Sequence, residues 1–302
     1  MSYHIIECEQ GTPEWHLARV GVITASMFST AISTVSTLDD KQRAYVDAIL
    51  AGKDKAEARA IAGYKADPKA QSVADALAGK PTVGPSSASI AYCDELAFER
   101  ISGKPYGDTY QTQAMRRGNE EEMWARARYE ELYDVEIVES GIALTEDRLF
   151  GYSTDGKVRG QNGGIEIKTP SSTAKLREMV QSLDLSEYEH QVQGGMWIRG
   201  WEWVDNIIWM PQLKNVRNEL LVKRVYRDDN FIEKMEMELM AFNARVEEAI
   251  KFWSKPFRRD GLNSNILSTD APTDLEPRAV VSQAAAAAPA QLSSPLAALL
   301  LA

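Results

Sequence analysis

The chain switches between two hydrophobic periods, and each switch outlines an element. Between 41 and 50, Tyr45, Val46, Ile49 and Leu50 follow the three-and-four spacing of a helical stripe. Ala51-Gly52 closes that helix, a second is predicted over 55–61, and Ala62-Gly63-Tyr64 makes a tight turn. Pro68 opens a third helix over 69–78, which Gly79-Lys80-Pro81 stops. The stretch 117–132 reads as a further helix, with Met123, Trp124, Ala127 and Leu132 as its apolar positions. Strands are then predicted near 135–144, 149–154 and 164–168, a helix around 173–199, and strands near 204–210 and 219–226. Phe231, Met235, Leu239, Phe242, Val246, Ile250 and Trp253 mark a long amphipathic helix at the end. This order predicts an α/β fold, a mixed central β-sheet flanked by helices. Trp201, Trp203 and Trp209 fall in such apolar strands that packing against helices is expected of them, rather than stacking on bases.

Two stretches break the pattern, so the core is assigned to 1–37 and 84–260. The helices of 38–83 form an inserted small helical module with a helix-turn-helix outline. Its basic and acidic residues nearly balance, which leaves two readings open: DNA contact, or a spacer that docks protein. The tail, 261–302, contains a stretch rich in Ser, Thr, Asp, Pro and Ala with an alanine run at 284–288, the composition of a disordered linker. It finishes in an apolar tip, either a docking peptide or a plain chain end.

At 302 residues and 44% hydrophobic content, the chain can bury one substantial core. It has no run of 18 apolar residues and no basic-then-apolar leader, so a cytoplasmic protein without a membrane span is expected. Cys8 and Cys93 make no disulfide framework, and His4, His16 and His190 are too scattered for a histidine metal site. The net charge of −10 is unexpected for a partner of nucleic acid. Basic residues nevertheless cluster at Arg116-Arg117, 214–227 and 255–259, which allows a confined basic channel on an acidic body.

The chemistry concentrates in Gly151-Tyr-Ser-Thr-Asp155-Gly and Gly164-Ile-Glu166-Ile-Lys168. On a strand, Glu166 and Lys168 share one face while Ile165 and Ile167 point into the core. Asp155, at the end of a neighbouring strand, can meet them. Two carboxylates beside an ammonium suit Mg²⁺ and phosphodiester hydrolysis, with one or two ions polarising the phosphate. The competing reading is a hairpin with a surface ion pair between Glu166 and Lys168. Glu122, one turn from Gly118, can reach a metal directly or through water, or can belong to a solvated acidic face. Gln191 and Gln193, on a helix expected near the acids, can donate to a metal-bound water or a phosphate, or can simply bind solvent.

Four blocks carry a more specific signal: WHxxRxGxITAS from Trp15 to Ser26, RGNxxE from Arg117 to Glu122, SxDG followed by ExK, and QVQxxMW from Gln191 to Trp197. In this order they resemble the lambda-exonuclease/YqaJ-type viral recombinase family, within the PD-(D/E)xK nuclease superfamily. The resemblance covers about 12–30 and 85–255, and implies a restriction-endonuclease-like core. It also implies that Asp155, Glu166 and the main-chain carbonyl of Ile167 bind metal, assisted by Glu122. Lys168 would position the nucleophile, with Gln193, or its neighbour Gln191, as the amide beside it. Arg19, Ser26 and Ser153 would hold a 5′-terminal phosphate, and Arg117 and Gln191 are candidates for DNA contact. Thr154 stands where many relatives have proline. Separately, the wording KQxxYVxxxLxG…AxxxAGY within 38–83 resembles the helix-turn-helix of phage terminase small subunits.

The activity implied by the resemblance is that of an Mg²⁺-dependent exonuclease, with Mn²⁺ as a substitute and two ions per site. It would degrade one strand of duplex DNA 5′→3′ from an end, leaving a 3′ overhang for a single-strand annealing partner, as a homo-trimer threaded by DNA. The alternatives are an endonuclease or repair nuclease of the same core, or a non-catalytic DNA-binding packaging or recombination adaptor.

Overall fold

A computed structural model describes residues 2–107 and 113–256, with backbone alone for 113–120. The expected tail and its apolar tip lie outside the described residues, as does the side chain of Arg117.

The chain begins with β1 (Tyr3–Ile6), α1 (Pro13–Ala18), β2 (Ile23–Thr24) and α2 (Phe28–Ala31). Thr12 caps α1 by accepting from the Trp15 amide, and Pro13 occupies the first turn, where no donor is needed. β3 (Thr34–Ser36) then leads into α3 (Asp40–Leu50), α4 (Lys55–Ala62) and α5 (Gln71–Leu77), and β4 (Val83–Pro85) returns. β3 and β4 pair antiparallel, Thr34 opposite Pro85 and Ser36 opposite Val83. The inserted helices therefore leave and re-enter through one narrow ribbon. Their apolar cluster is their own: Tyr45, Val46, Ala58, Ala62, Val73 and Ala76 pack together.

α6 (Ser87–Ser102) and α7 (Gln113–Tyr133) precede the strands of the central layer. These are β5 (Ile137–Val138), β6 (Ile142–Thr145), β7 (Phe150–Tyr152), β8 (Gly156–Val158) and β9 (Gly163–Lys168). After α8 (Thr173–Ser182) and α9 (Glu189–Arg199) come β10 (Trp203–Trp209), β11 (Leu220–Tyr226) and α10 (Asp229–Trp253). One sheet runs β1-β6-β7-β2 and the other β11-β10-β9-β8-β5. Both are mixed: β9–β10 and β2–β7 are parallel, and the other pairs are antiparallel.

The stretch 135–144, expected as one strand, divides between the two sheets. At the break lies Gly141, where an added Cβ would collide with the Ile6 carbonyl oxygen. The helix expected over 173–199 also divides, at Leu183 in a left-handed conformation (φ 52°). Ser182 and Asp184 direct their side chains to nearby backbone groups, competing with continuation of the helix.

β9 lies between two apolar layers. Ile165 and Ile167 pack with Ile207, Trp209, Ala125 and Tyr129 beneath α7. On the other side, Val204 joins Val192, Met196 and Trp201 in the larger core formed with α6, α9 and α10. Trp201, Trp203 and Trp209 are buried, as expected from their strands. Gly163 and Gly164 admit the indoles closely: a Cβ added at either would run into Trp203 or Trp201 respectively. Among the described residues no helix is long and apolar enough to cross a membrane.

Candidate active site

A cleft of about 420 Å³ opens where α1, α7, β7, β9 and α9 converge. Asp155 stands in the turn between β7 and β8. Thr154 shapes that turn: its hydroxyl bonds the Gly156 and Ile165 carbonyls and accepts from the Gly156 amide. The threonine thus fixes by hydrogen bonds what a proline would fix by its ring. Asp155 Oδ2 accepts from the Ile167 amide at 2.6 Å, tying the turn to the strand that carries the other acid.

Glu166 is only 2% exposed, yet both its oxygens have partners. Oε1 accepts from Lys168 Nζ at 2.8 Å and from the Gln191 amide, and Oε2 accepts from the Tyr152 hydroxyl at 2.9 Å. Lys168 also donates to Gln191 Oε1 at 3.0 Å. The alternation along β9 places these groups, since Glu166 and Lys168 share a face. A solvated surface ion pair is not what the strand presents.

Burial, then the charges of Glu166 and Glu122, push the Asp155 carboxyl well above its usual range. Burial works against the Lys168 charge, but Glu166 and Asp155 outweigh it and raise the ammonium's pKa. Glu122 is raised, first by burial. Among the described residues, no three of His, Cys, Asp and Glu form a group close enough to hold a metal. Asp155, Glu166 and a main-chain carbonyl are nonetheless hard oxygen donors, and two buried acids that repel each other are stabilised by a cation. That chemistry fits a divalent ion of the Mg²⁺ kind.

The far corner of the cleft has the opposite charge. The Arg19 guanidinium sits over the Trp15 indole, 4.0 Å from the ring centre, and donates to Thr24 Oγ1 at 3.2 Å. Among the described residues no carboxylate pairs with it, and burial lowers its pKa. Trp15 Nε1 donates to Ser153 Oγ at 2.8 Å, while Ser26 Oγ lies 3.4 Å from Thr24 Oγ1. A half-buried guanidinium with the hydroxyls of Thr24, Ser26 and Ser153 in the same cleft is suited to an anion.

The YqaJ-like viral recombinase domain matches residues 14–202. The chain belongs to that family. No curated protein matches it. Among solved structures it is similar to an alkaline exonuclease, LHK-Exo, from Laribacter hongkongensis. The identity is 26% and the TM-score 0.55, over 80% of this chain and 96% of that one. The complex of LHK-Exo with dAMP matches with the same identity and coverage at a TM-score of 0.56.

Within this YqaJ-like domain, Asp155, Glu166, Ile167, Lys168, Glu122, Arg19, Ser26, Ser153 and Gln191 all line one cleft. Gln193 does not. It is buried under α9, where Nε2 donates to the Tyr226 carbonyl and Oε1 accepts from the Asp228 amide. The reason is helical: residues two apart on α9 lie on different faces, so only Gln191 meets Glu166. Glu122 lines the cleft with the other acids and is itself paired with Arg126 at 2.7 Å. Sequence reasoning missed Tyr152, Trp15 and Thr24 as parts of the site. Trp15 and Thr24 stood inside the opening motif and Tyr152 inside the stretch that ends in Asp155, but none of the three was given a role.

Proposed function

We propose that the protein is an Mg²⁺-dependent exodeoxyribonuclease, degrading one strand of linear duplex DNA from the 5′ end and leaving 3′ single strands for annealing. One juxtaposition carries this reading: the buried Asp155–Glu166–Lys168 cluster opens into the same cleft as the Arg19 guanidinium, which forms no salt bridge among the described residues. One end of the cleft is fit for hydrolysis and the other for a terminal phosphate. Family membership and the similarity to an alkaline exonuclease support the nuclease class. Mn²⁺ as a substitute ion, a homo-trimer threaded by DNA, a cytoplasmic setting and a single-strand annealing partner belong to the same proposal.

Asp155, Glu166 and the Ile167 carbonyl would hold one or two divalent ions, which neutralise charge on the phosphate and assist water in attacking it. The chain's own groups do the rest. Arg19, Ser26 and Ser153 grip the 5′-phosphate and so select which phosphodiester lies at the acids. The Trp15 ring packs against Arg19 while its N–H orients Ser153. Lys168, itself held by Glu166 and Gln191, presents a charged donor to the attacking water and to the phosphoryl oxygens.

The test incubates the protein with Mg²⁺ and strand-labelled linear duplexes bearing a 5′-phosphate or a 5′-hydroxyl, with a closed circle as control. Mononucleotides released from phosphorylated 5′ ends, with the circle intact, are expected. A cut circle would assign an endonuclease, and no cleavage with Mg²⁺ or Mn²⁺ would assign a binding adaptor.

A further inference from the structure

A second cavity, of about 630 Å³, adjoins the cleft and shares Trp15, Ser153, Glu122 and Asp155 with it. Arg126 and Glu139 line this second space. Glu122 and Arg126 are one helical turn apart on α7 and face each other. Arg126 Nη2 meets Glu122 Oε1 at 2.7 Å, and Nη1 meets Glu139 Oε1 at 2.6 Å. One guanidinium thus bridges an acid of the cleft and an acid of the surface.

The two acids are unequal. The Glu122 side chain is 19% exposed and Glu139 79%, with Arg126 at 18%. Arg126 Nε is buried with no partner among the described residues, so the guanidinium is not locked by a full set of acceptors. Glu122 also feels the charge of Glu166, and Asp155 that of Glu122. Lys168 offsets part of this repulsion through Glu166, and a further cation among the acids would draw Glu122 toward them.

We propose that Arg126 is a positioning residue that competes with the divalent ion for Glu122, Glu139 being the anchor to which it retires. Without the ion, Arg126 neutralises Glu122 and holds it to one side. With the ion bound, Glu122 turns to the acids and Arg126 keeps Glu139. The inference rests on the metal-dependent reading above and adds to it which residue sets the ion's occupancy.

The experiment is calorimetric titration of the full chain with Mg²⁺ alone, without DNA. Removing the competitor, Arg126→Gln, is expected to tighten Mg²⁺ binding by roughly fivefold, the scale of a half-buried ion pair. Removing its retreat, Glu139→Gln, is expected to weaken binding by about twofold, as fits an exposed partner. In a Glu122→Gln background the Arg126→Gln effect should vanish. The Mg²⁺ concentration for half-maximal nucleotide release should move in the same two directions. Shifts of one sign, no shift, or an Arg126→Gln effect that survives in Glu122→Gln would overturn the proposal, the last by assigning the change to general electrostatics. Glu139 is exposed, so its variant tests the idea even where an Arg126 variant folds poorly. A wild type that takes up no Mg²⁺ removes the metal-dependent reading and this one together; wild-type uptake with unmoved variants removes this one alone.

Discussion

In the inserted helical module, the groups that shape each element sit beside it in the chain. Asp39 and Gln42 form a reciprocal cap on α3, Asp54 caps α4, and Gly63 ends α4 with φ at +70°. In the cleft the shaping contacts span the sequence: Trp15 to Ser153 bridges 138 positions and Gln191 to Glu166 bridges 25. The module settles its polar groups locally and buries mostly alanine and valine around Tyr45. The cleft gathers like charges in a dry place and keeps them there only because distant strands and helices hold them. A region built by neighbours tolerates change one residue at a time, whereas a region built by convergence fails when any contributor moves.

The sharpest way to break this contrast is at the acids. Asp155→Asn or Lys168→Ala is expected to lower kcat by roughly 10²–10³-fold, the scale for loss of one preorganised charged group. Binding of duplex ends in a gel shift should persist. A variant that retained the wild-type rate would remove the residue from the chemistry. Next in size, Arg19→Met should reduce kcat/KM about tenfold or more on 5′-phosphorylated duplexes and leave 5′-hydroxyl duplexes nearly unchanged. Equal loss on both substrates would mean that Arg19 supports the fold and not the phosphate.

The two glutamines of α9 divide the contrast within one helix. Gln193→Ala leaves the Tyr226 carbonyl and Asp228 amide without their partner, and should cost ~1–3 kcal/mol in chemical denaturation. Gln191→Ala should instead slow cleavage several-fold with a smaller loss of stability, since its partners are Glu166 and Lys168. The opposite assignment of effects would show that the helix face was misread. Smallest of all, replacing 39–80 with a short turn across the β3–β4 ribbon should leave nucleotide release from short duplexes intact. Unchanged duplex affinity in filter binding would then discard DNA contact by the module.

Much of this was legible in the sequence because its signals are periodic or local. The helices of the module, α7 and α10, and the strands β9, β10 and β11 follow directly from apolar spacing. The family resemblance carried by the motif blocks implied a common site for Asp155, Glu166, Lys168, Glu122, Arg19, Ser26 and Ser153, and all of them line one cleft. The breaks were not legible, because Gly141 and Leu183 interrupt their elements for reasons of tertiary approach and side-chain competition. Choosing between Gln191 and Gln193 required knowing which face of α9 meets β9. The hold of Arg126 on Glu122 also escaped, since an acid and a base four apart on a helix are common on any solvated surface.

The paired glycines at the start of β9 act as a ratchet stop. Trp203 seats where Gly163 has no side chain, and Trp201 does the same at Gly164 on the other face of the strand. A slip of one residue would push a side chain into an indole and bring Ile165 or Ile167 to the position that Glu166 holds. Misregistered chains are therefore excluded sterically before they can form a distorted site. On the proposed function this makes failure silent: a wrongly assembled copy would lack the site altogether, where a distorted one could cut carelessly.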